Sequence, residues 1–342
     1  MRIVKVVSLL AVLLAIASFT IAAEGQVLLN AAGATFPYPI YSKWFDIYHQ
    51  SHSNVQINYQ SIGSGGGIRQ LLDKTVDFGA SDGPMSDDQL KQATVPILHF
   101  PTVLGAAIPS YNVSGVQGDL NFTPEALAGI FLGKVTKWND PAIASVNVGV
   151  KLPSDDIVVV HRSDGSGTSY IWTDYLSKVS SEWQQKVGKG TSVNWPVGLG
   201  GKGNEGVSAL IQQTPGSLGY VELIYAIQNH LPYGKVKNSS GAFVKADLAS
   251  VSAAAAAFSK FMPDDFRVSI TNPEGNKDAY PISSFTWLLI PSKFTDTAKR
   301  DVVKDFLKWM MTDGQQYTEA LSYAKLPKEV VSKEMKAIAQ IQ

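Results

Sequence analysis

Three times along this 342-residue chain, a strand-like apolar run leads through a loop of small residues straight into a helical pattern. The loops read AAGATF at residues 31–36, SIGSGGG at 61–67 and RSDGSGTS at 162–169. Glycine lets such a loop turn tightly, so that several backbone amides face one point, and the next helix directs the positive end of its dipole there. One such junction is often an ordinary turn, but three in one chain predict a site for a tetrahedral oxyanion.

Side chains in and beside these loops add hydrogen-bond donors to the expected amides of Ser166, Gly167 and Thr168. The hydroxyl groups come from Thr35, Ser64, Ser166 and Thr168. Arg162 is the one well-placed cation, because the flat fork of its guanidinium can bind two oxygens of an oxyanion. Asp164 lies two positions further on and can hold that guanidinium in orientation. The alternative for Arg162 is a solvated side chain on the surface.

Asp82, at the end of the segment VDFGASD, narrows the choice of anion. A carboxylate repels an anion unless the ligand carries a proton that it can donate to the carboxylate. Phosphate near neutral pH always has such a proton, whereas sulfate has none. Asp82 therefore predicts a site that selects for a protonated oxyanion. The alternative is that Asp82 caps a helix beginning near residues 86–88.

Composition and motifs exclude several classes of function. The chain has 29 basic and 29 acidic residues, which argues against binding nucleic acid or an anionic membrane through bulk charge. Its five histidines lack metal-ligand spacing, and neither a Gly-x-Ser-x-Gly elbow nor a nucleotide phosphate loop occurs. We therefore expect no metal and no cofactor. Two alternatives to a phosphate receptor remain: a secreted phosphatase or related hydrolase with Ser64 or Ser166 as nucleophile, and a receptor for another oxyanion such as sulfate or molybdate.

The first 23 residues have the pattern of a signal peptide. Arg2 and Lys5 precede an apolar stretch at 6–21, and Ala22 and Ala23 offer small residues for cleavage. An uncleaved anchor is the alternative. The chain has no cysteine, which excludes disulfides and the lipid-modified cysteine of a tethered lipoprotein. We expect a soluble exported protein of the periplasm.

Strand-like and helical patterns alternate, which predicts an α/β class with largely parallel sheets. Two extended apolar runs, at 99–108 and 280–290, are typical of segments that connect two domains. They predict one discontinuous domain from residues 24–101 and 281–342 and a second from residues 102–280, with the anion in the cleft between them. Tyr41, Trp44 and Tyr48 share one helical face and are expected in the core. The glycine-dense run at 198–206 is interpreted as a conformational loop, with a further anion loop as the alternative.

Taken together, the motifs at 32–37, 63–67, 76–82, 162–169, 195–204 and 218–222 resemble the periplasmic phosphate-binding proteins of Pst-type ABC transporters. The resemblance covers nearly the whole chain after residue 23, in order. It implies a two-lobed, Venus-flytrap periplasmic-binding fold that buries dehydrated phosphate between its lobes. It also implies a monomer, not an enzyme, that delivers phosphate to an inner-membrane permease with an ATPase subunit.

Carried over by position, the resemblance implies that groups around Ala34, Thr35 and Phe36 hold one side of the phosphate. On the other side it implies Ser166, Gly167 and Thr168 as ligands. Ser64 would contribute its amide and hydroxyl, Asp82 would accept the ligand proton, and Arg162, steadied by Asp164, would supply the positive charge.

Overall fold

The computed structural model of the protein describes residues 25–116, 118–256, 258 and 261–342. The predicted signal peptide lies outside these ranges. The strands of the described residues are β1 (Val27–Gly33), β2 (Val55–Ser61), β3 (Phe78–Ser81), β4 (Ile97–Asn112), β5 (Asn121–Phe122), β6 (Val158–Arg162), β7 (Leu199–Gly201), β8 (Ser217–Glu222), β9 (Lys235–Lys237), β10 (Phe243–Val244) and β11 (Ser283–Pro291). Eight of them form one sheet in the order β2-β1-β3-β11-β4-β8-β6-β7, and β10, β9 and β5 form a small second sheet.

Helices follow most of the strands, and the predicted α/β class is confirmed. The expectation of largely parallel sheets is wrong for the large sheet, since β11 and β4 pair antiparallel with their neighbours. They are α1 (Tyr38–Ser51), α2 (Ser64–Leu72), α3 (Asp87–Leu90), α4 (Pro124–Phe131), α5 (Pro141–Ala144), α6 (Gly167–Val179), α7 (Ser181–Lys186), α8 (Gly203–Gln213), α9 (Leu223–Gln228), α10 (Leu248–Ala256), α11 (Thr297–Met311) and α12 (Lys328–Ala337). Short 3-10 segments lie at Asp313–Tyr317, Glu319–Leu321 and Ile338–Gln340.

Strand β4 joins two halves of the large sheet. Its first part pairs antiparallel with β11 and its last part, from Ala107 to Asn112, pairs antiparallel with β8. We call the part built on β1, β2, β3 and β11 the first lobe, and the part built on β6, β7 and β8 the second lobe. Within the lobes, β1 is parallel to β2 and β3, and β6 is parallel to β7 and β8. The predicted domain boundaries at 101 and 281 fall inside β4 and just before β11, and they stay a prediction.

The aromatic face of α1 lies in the core, as predicted. Tyr41, Trp44 and Tyr48 are each at most 2% exposed. Tyr48 packs edge-on against Phe306 of α11, with ring centroids 5.2 Å apart. Removing such rings from water is the main stabilising contribution of this helix.

Gly65, Gly66 and Gly67 of the second loop belong to α2, which begins at Ser64, inside the predicted loop at 61–67. The reason is close packing of this helix on β1. A Cβ atom on Gly67 would lie 2.4 Å from Gly33 Cα and 2.5 Å from Ala32 O, both of them backbone atoms. Only glycine allows the start of α2 to approach the end of β1 this closely.

We expect Gly67→Ala to lower the free energy of unfolding by about 1–3 kcal/mol, because the added methyl group forces the helix away from the strand. Thermal and urea unfolding followed by circular dichroism would measure the change. Gly25→Ala is the matched control, since nothing lies within 4 Å of a Cβ at Gly25. Equal melting temperatures for the Gly67 and Gly25 variants would contradict the packing argument.

Candidate functional site

The structure brings the three loops together where the two lobes meet. Gly65 N of the first lobe donates to Gly165 O of the second at 2.8 Å. A Cβ on Gly167, the first residue of α6, would lie 2.3 Å from both Ser64 Oγ and Asp82 Oδ2. The N-termini of α2 and α6 therefore meet beside the Asp82 carboxylate, and their dipoles add positive potential there.

The polar side chains of this region are enclosed. Their exposed fractions are Thr35 2%, Ser64 0%, Asp82 1%, Arg162 3%, Ser166 0% and Thr168 0%. A ligand among them has to give up its water, and each of its polar atoms then needs a protein partner. The lobes also have to move apart to admit it, because the closed conformation buries every one of these groups.

Asp82 presents one carboxylate oxygen without a partner. Thr286 Oγ1 donates to Oδ1 at 2.8 Å, whereas Oδ2 is buried with no hydrogen-bond partner among the described residues. The backbone amide of Asp82 donates to Ser64 Oγ at 3.2 Å. Burial raises the pKa of Asp82 to about 7, against the opposing effects of Thr286, Arg162 and Ser64. Oδ2 is thus prepared to accept a hydrogen bond from a ligand.

The helix-cap alternative for Asp82 is wrong. The helix that follows, α3, is capped by Ser86, whose Oγ accepts from the amide of Gln89 at 3.2 Å. Gln89 Oε1 in turn accepts from the amide of Ser86 at 2.9 Å, which completes a capping box. No cap function is left for Asp82.

Arg162 is buried at the end of β6, so the solvated-surface alternative is also wrong. Its Nε donates to Asp164 Oδ1 at 2.7 Å and its Nη2 donates to Asp164 Oδ2 at 2.5 Å. Asp164 therefore occupies the fork that the sequence assigned to the anion. The other edge, carrying Nη1, faces Thr168 Oγ1 at 3.4 Å. The arginine lowers the pKa of Asp164, although burial acts in the opposite direction.

The backbone amides of the loops divide into free and engaged groups. The amides of Thr35, Phe36, Ser64, Gly167 and Thr168 have no hydrogen-bond acceptor among the described residues. The expectation of free amides at the other two predicted positions is wrong. Ala34 N donates to Ala80 O at 3.0 Å and Ser166 N donates to Thr191 O at 2.7 Å. Strand and loop neighbours that are distant in sequence take these two donors.

Ser166 instead acts as the N-cap of α6. Its Oγ accepts from the amide of Ser169 at 3.0 Å, which leaves the hydroxyl proton for another acceptor. His161, the neighbour of Arg162 on β6, stacks on Trp195 with ring centroids 4.8 Å apart. Neither Ser64 nor Ser166 has a histidine among its hydrogen-bond partners in the described residues.

Sequence reasoning missed Asn204 and Thr286. Asn204 Nδ2 donates to Thr35 Oγ1 at 2.8 Å and to Thr168 Oγ1 at 3.1 Å, which links the two lobes. The signal in the sequence is the position of Asn204 within the glycine-dense run at 198–206. Thr286 lies on β11 beside a register shift between Thr286 and Trp287, and no motif marks it.

The site offers amides, hydroxyls and one guanidinium as donors, and Asp82 Oδ2 as an acceptor. Such a set matches an anion with several acceptor oxygens and one proton. Among the residues that the structure describes, no group of three His, Cys, Asp or Glu residues is arranged to hold a metal ion. No helix in the described ranges is long and apolar enough to cross a membrane.

The fold and the enclosed donors define a class of two-lobed α/β proteins that surround a small ligand between their lobes. The family model described as PBP superfamily domain matches residues 20–314. The phosphate-binding protein PstS of Xylella fastidiosa strain Temecula1 is 46% identical over 307 residues, covering 90% of this chain and 83% of that protein. PstS of Pasteurella multocida is 45% identical over 326 residues, covering 94% and 93%. The chain therefore belongs to the PBP superfamily and, within it, to the family of phosphate-binding proteins.

Solved structures support the same fold. The high-affinity periplasmic phosphate-binding protein PfluDING, solved with bound phosphate, superposes with a TM-score of 0.70 at 20% identity, covering 91% of this chain and 93% of that one. An ABC-type phosphate transport receptor from Vibrio cholerae has a TM-score of 0.57 at 19% identity, covering 87% and 100%. The two-lobed fold expected from the sequence is confirmed.

Proposed function

We propose that this protein binds inorganic phosphate between its lobes and delivers it to the membrane permease of an ABC transporter. The observation that carries the proposal is the buried, unpartnered Asp82 Oδ2 beside the N-termini of α2 and α6. Phosphate near neutral pH accepts hydrogen bonds at its unprotonated oxygens and donates one from its remaining proton. Sulfate has no proton to donate, so it would leave two acceptors facing each other in a medium of low dielectric constant.

In the proposed complex, the free amides and the hydroxyls replace the water around the phosphate. The amides belong to Thr35, Phe36, Ser64, Gly167 and Thr168, and the hydroxyls to Thr35, Ser64, Ser166 and Thr168. The guanidinium of Arg162, held by Asp164, compensates the anionic charge through its free edge. Ala34 shapes the loop, and its amide takes no part because Ala80 O accepts from it.

The chain is not an enzyme, since the family to which it belongs consists of binding proteins. We further propose that a signal peptide at 1–23 directs the protein to the periplasm and is then cleaved. The mature protein is proposed to be a monomer without a lipid anchor. The permease and ATPase subunits of the transporter are the proposed partners. The proposed lobes are residues 24–101 with 281–342, and 102–280, which close on the ligand.

Equilibrium dialysis with labelled phosphate tests the proposal. At pH 8 we expect one phosphate bound per chain, displaced by arsenate, which still carries a proton, and much less by an equal concentration of sulfate. A chromogenic phosphate ester incubated with the same protein should remain intact. Absence of phosphate binding, equal competition by sulfate, or turnover of the ester would each contradict the proposed function.

A further inference from the structure

Asn204 is fully buried and makes a hydrogen bond with each of its side-chain polar groups. Its Oδ1 accepts from the backbone amide of Glu222 at 2.9 Å. A backbone N–H only donates, so this bond assigns the oxygen and the nitrogen of the Asn204 amide without ambiguity. The Nδ2 group is therefore the one that faces the binding site.

The two hydrogens of Nδ2 are directed at two threonine oxygens on opposite lobes. One reaches Thr35 Oγ1 at 2.8 Å and the other reaches Thr168 Oγ1 at 3.1 Å. Thr35 Oγ1 also accepts from the backbone amide of Asn204 at 3.3 Å, and Thr168 Oγ1 faces Arg162 Nη1 at 3.4 Å. Each threonine oxygen is thus in contact with two donors.

A hydroxyl oxygen has two lone pairs and a single proton. With donors directed at both lone pairs, the hydroxyls of Thr35 and Thr168 can only act as donors themselves. We propose, on the basis of the proposed function, that Asn204 is a positioning residue that turns the protons of both threonine hydroxyls toward the phosphate. Without it, either hydroxyl could rotate and present a lone pair to the anion.

This assignment separates the chemistry of the site into two kinds of group. The threonines donate because Asn204 saturates their oxygens, and Asp82 accepts because Thr286 engages only its Oδ1. Where the lobes meet around it, the ligand therefore faces a fixed pattern of donors and one acceptor. Asn204 contributes to specificity through this pattern.

A double-mutant cycle with inorganic phosphate tests the proposal. We expect Asn204→Ala to weaken phosphate binding by about tenfold, as for the loss of one or two neutral hydrogen bonds. Asn204→Asp should weaken it by about a hundredfold or more, because a carboxylate accepts from the threonines and reverses their protons. The half-buried Asn229, whose Nδ2 donates to Tyr225 O away from the site, provides the control Asn229→Ala, which should bind like the wild type.

The cycle distinguishes positioning from simple support of the fold. In the Thr35→Val and Thr168→Val backgrounds, Asn204→Ala should cost clearly less affinity than in the wild type, because the hydroxyl that it orients is gone. If Asn204→Ala lowers phosphate affinity by the same factor in the wild type, in Thr35→Val and in Thr168→Val, the positioning role of Asn204 is overturned. Phosphate binding by the wild type would be unaffected by that result. A wild type that does not bind phosphate would overturn the proposed function and this inference together. Melting curves of each variant would confirm that the folded protein is being measured.

Discussion

Asp82→Asn is expected to reduce the ratio of phosphate affinity to sulfate affinity by at least about tenfold at pH 8. The substitution removes the acceptor for the ligand proton and puts an N–H donor near its place, so sulfate gains a partner that it lacks in the wild type. Thr286 can still donate to the remaining oxygen, because asparagine keeps one carbonyl group at this position. Competition dialysis against labelled phosphate would measure the ratio in both proteins.

The pH dependence of sulfate binding provides a second measure of the same carboxyl group. Burial raises the pKa of Asp82 to about 7 in the closed conformation. Below that pH the neutral carboxyl predominates and supplies the hydrogen that sulfate lacks. Sulfate affinity of the wild type should therefore rise by up to about tenfold per unit as pH falls from 8, and then level off. In Asp82→Asn this dependence should be absent.

Two controls make the Asp82 experiment decisive. Asp88→Asn removes a carboxylate that is 88% exposed on α3 and should leave the affinity ratio unchanged. The ligand-free Asp82→Asn protein should be at least as stable as the wild type at pH 8. Because its pKa is raised in the folded protein, the Asp82 carboxyl lowers the free energy of unfolding as pH rises from about 4 to about 7. Asparagine does not ionise, so the variant avoids this destabilisation. An unchanged phosphate-to-sulfate ratio would mean that selectivity arises elsewhere.

Arg162→Ala is expected to weaken phosphate binding by about ten- to a hundredfold and to destabilise the protein as well. The lost charge-assisted hydrogen bonds account for about 1.5–3 kcal/mol of binding free energy. The destabilisation arises because Asp164, with its side chain 13% exposed, keeps a charge whose partner is gone. Titration calorimetry with phosphate and urea unfolding would measure the two effects.

Removing Asp164 in addition separates these two effects. The double variant Arg162→Ala/Asp164→Ala should recover much of the stability but none of the affinity, because no unpaired carboxylate remains and the cation is still missing. Arg162→Lys should recover only part of the affinity, since an ammonium cannot bind Asp164 and the ligand through two edges. Arg300→Ala, on the surface beside Asp301, is the control. Unchanged affinity in Arg162→Ala would show that the guanidinium does not contact the phosphate.

Much of the site could be predicted from short stretches of sequence. A glycine-rich turn before a helix presents amides that have no partner within the helix, and the loops containing Ser64 and Gly167 are of this kind. The carboxylate of Asp82 and the guanidinium of Arg162 carry their chemistry in the side chain itself. For these residues the local sequence was sufficient to indicate an oxyanion site and the type of anion.

Which groups are available to a ligand was decided only by the tertiary structure. The amides of Ala34 and Ser166 are engaged by Ala80 O and Thr191 O, and the fork of Arg162 is occupied by Asp164. Asn204 and Thr286 reach the site from distant parts of the chain. A hydrogen-bonding group is encoded in its own residue, but its freedom depends on what packs against it. That information exists only once the two lobes have met.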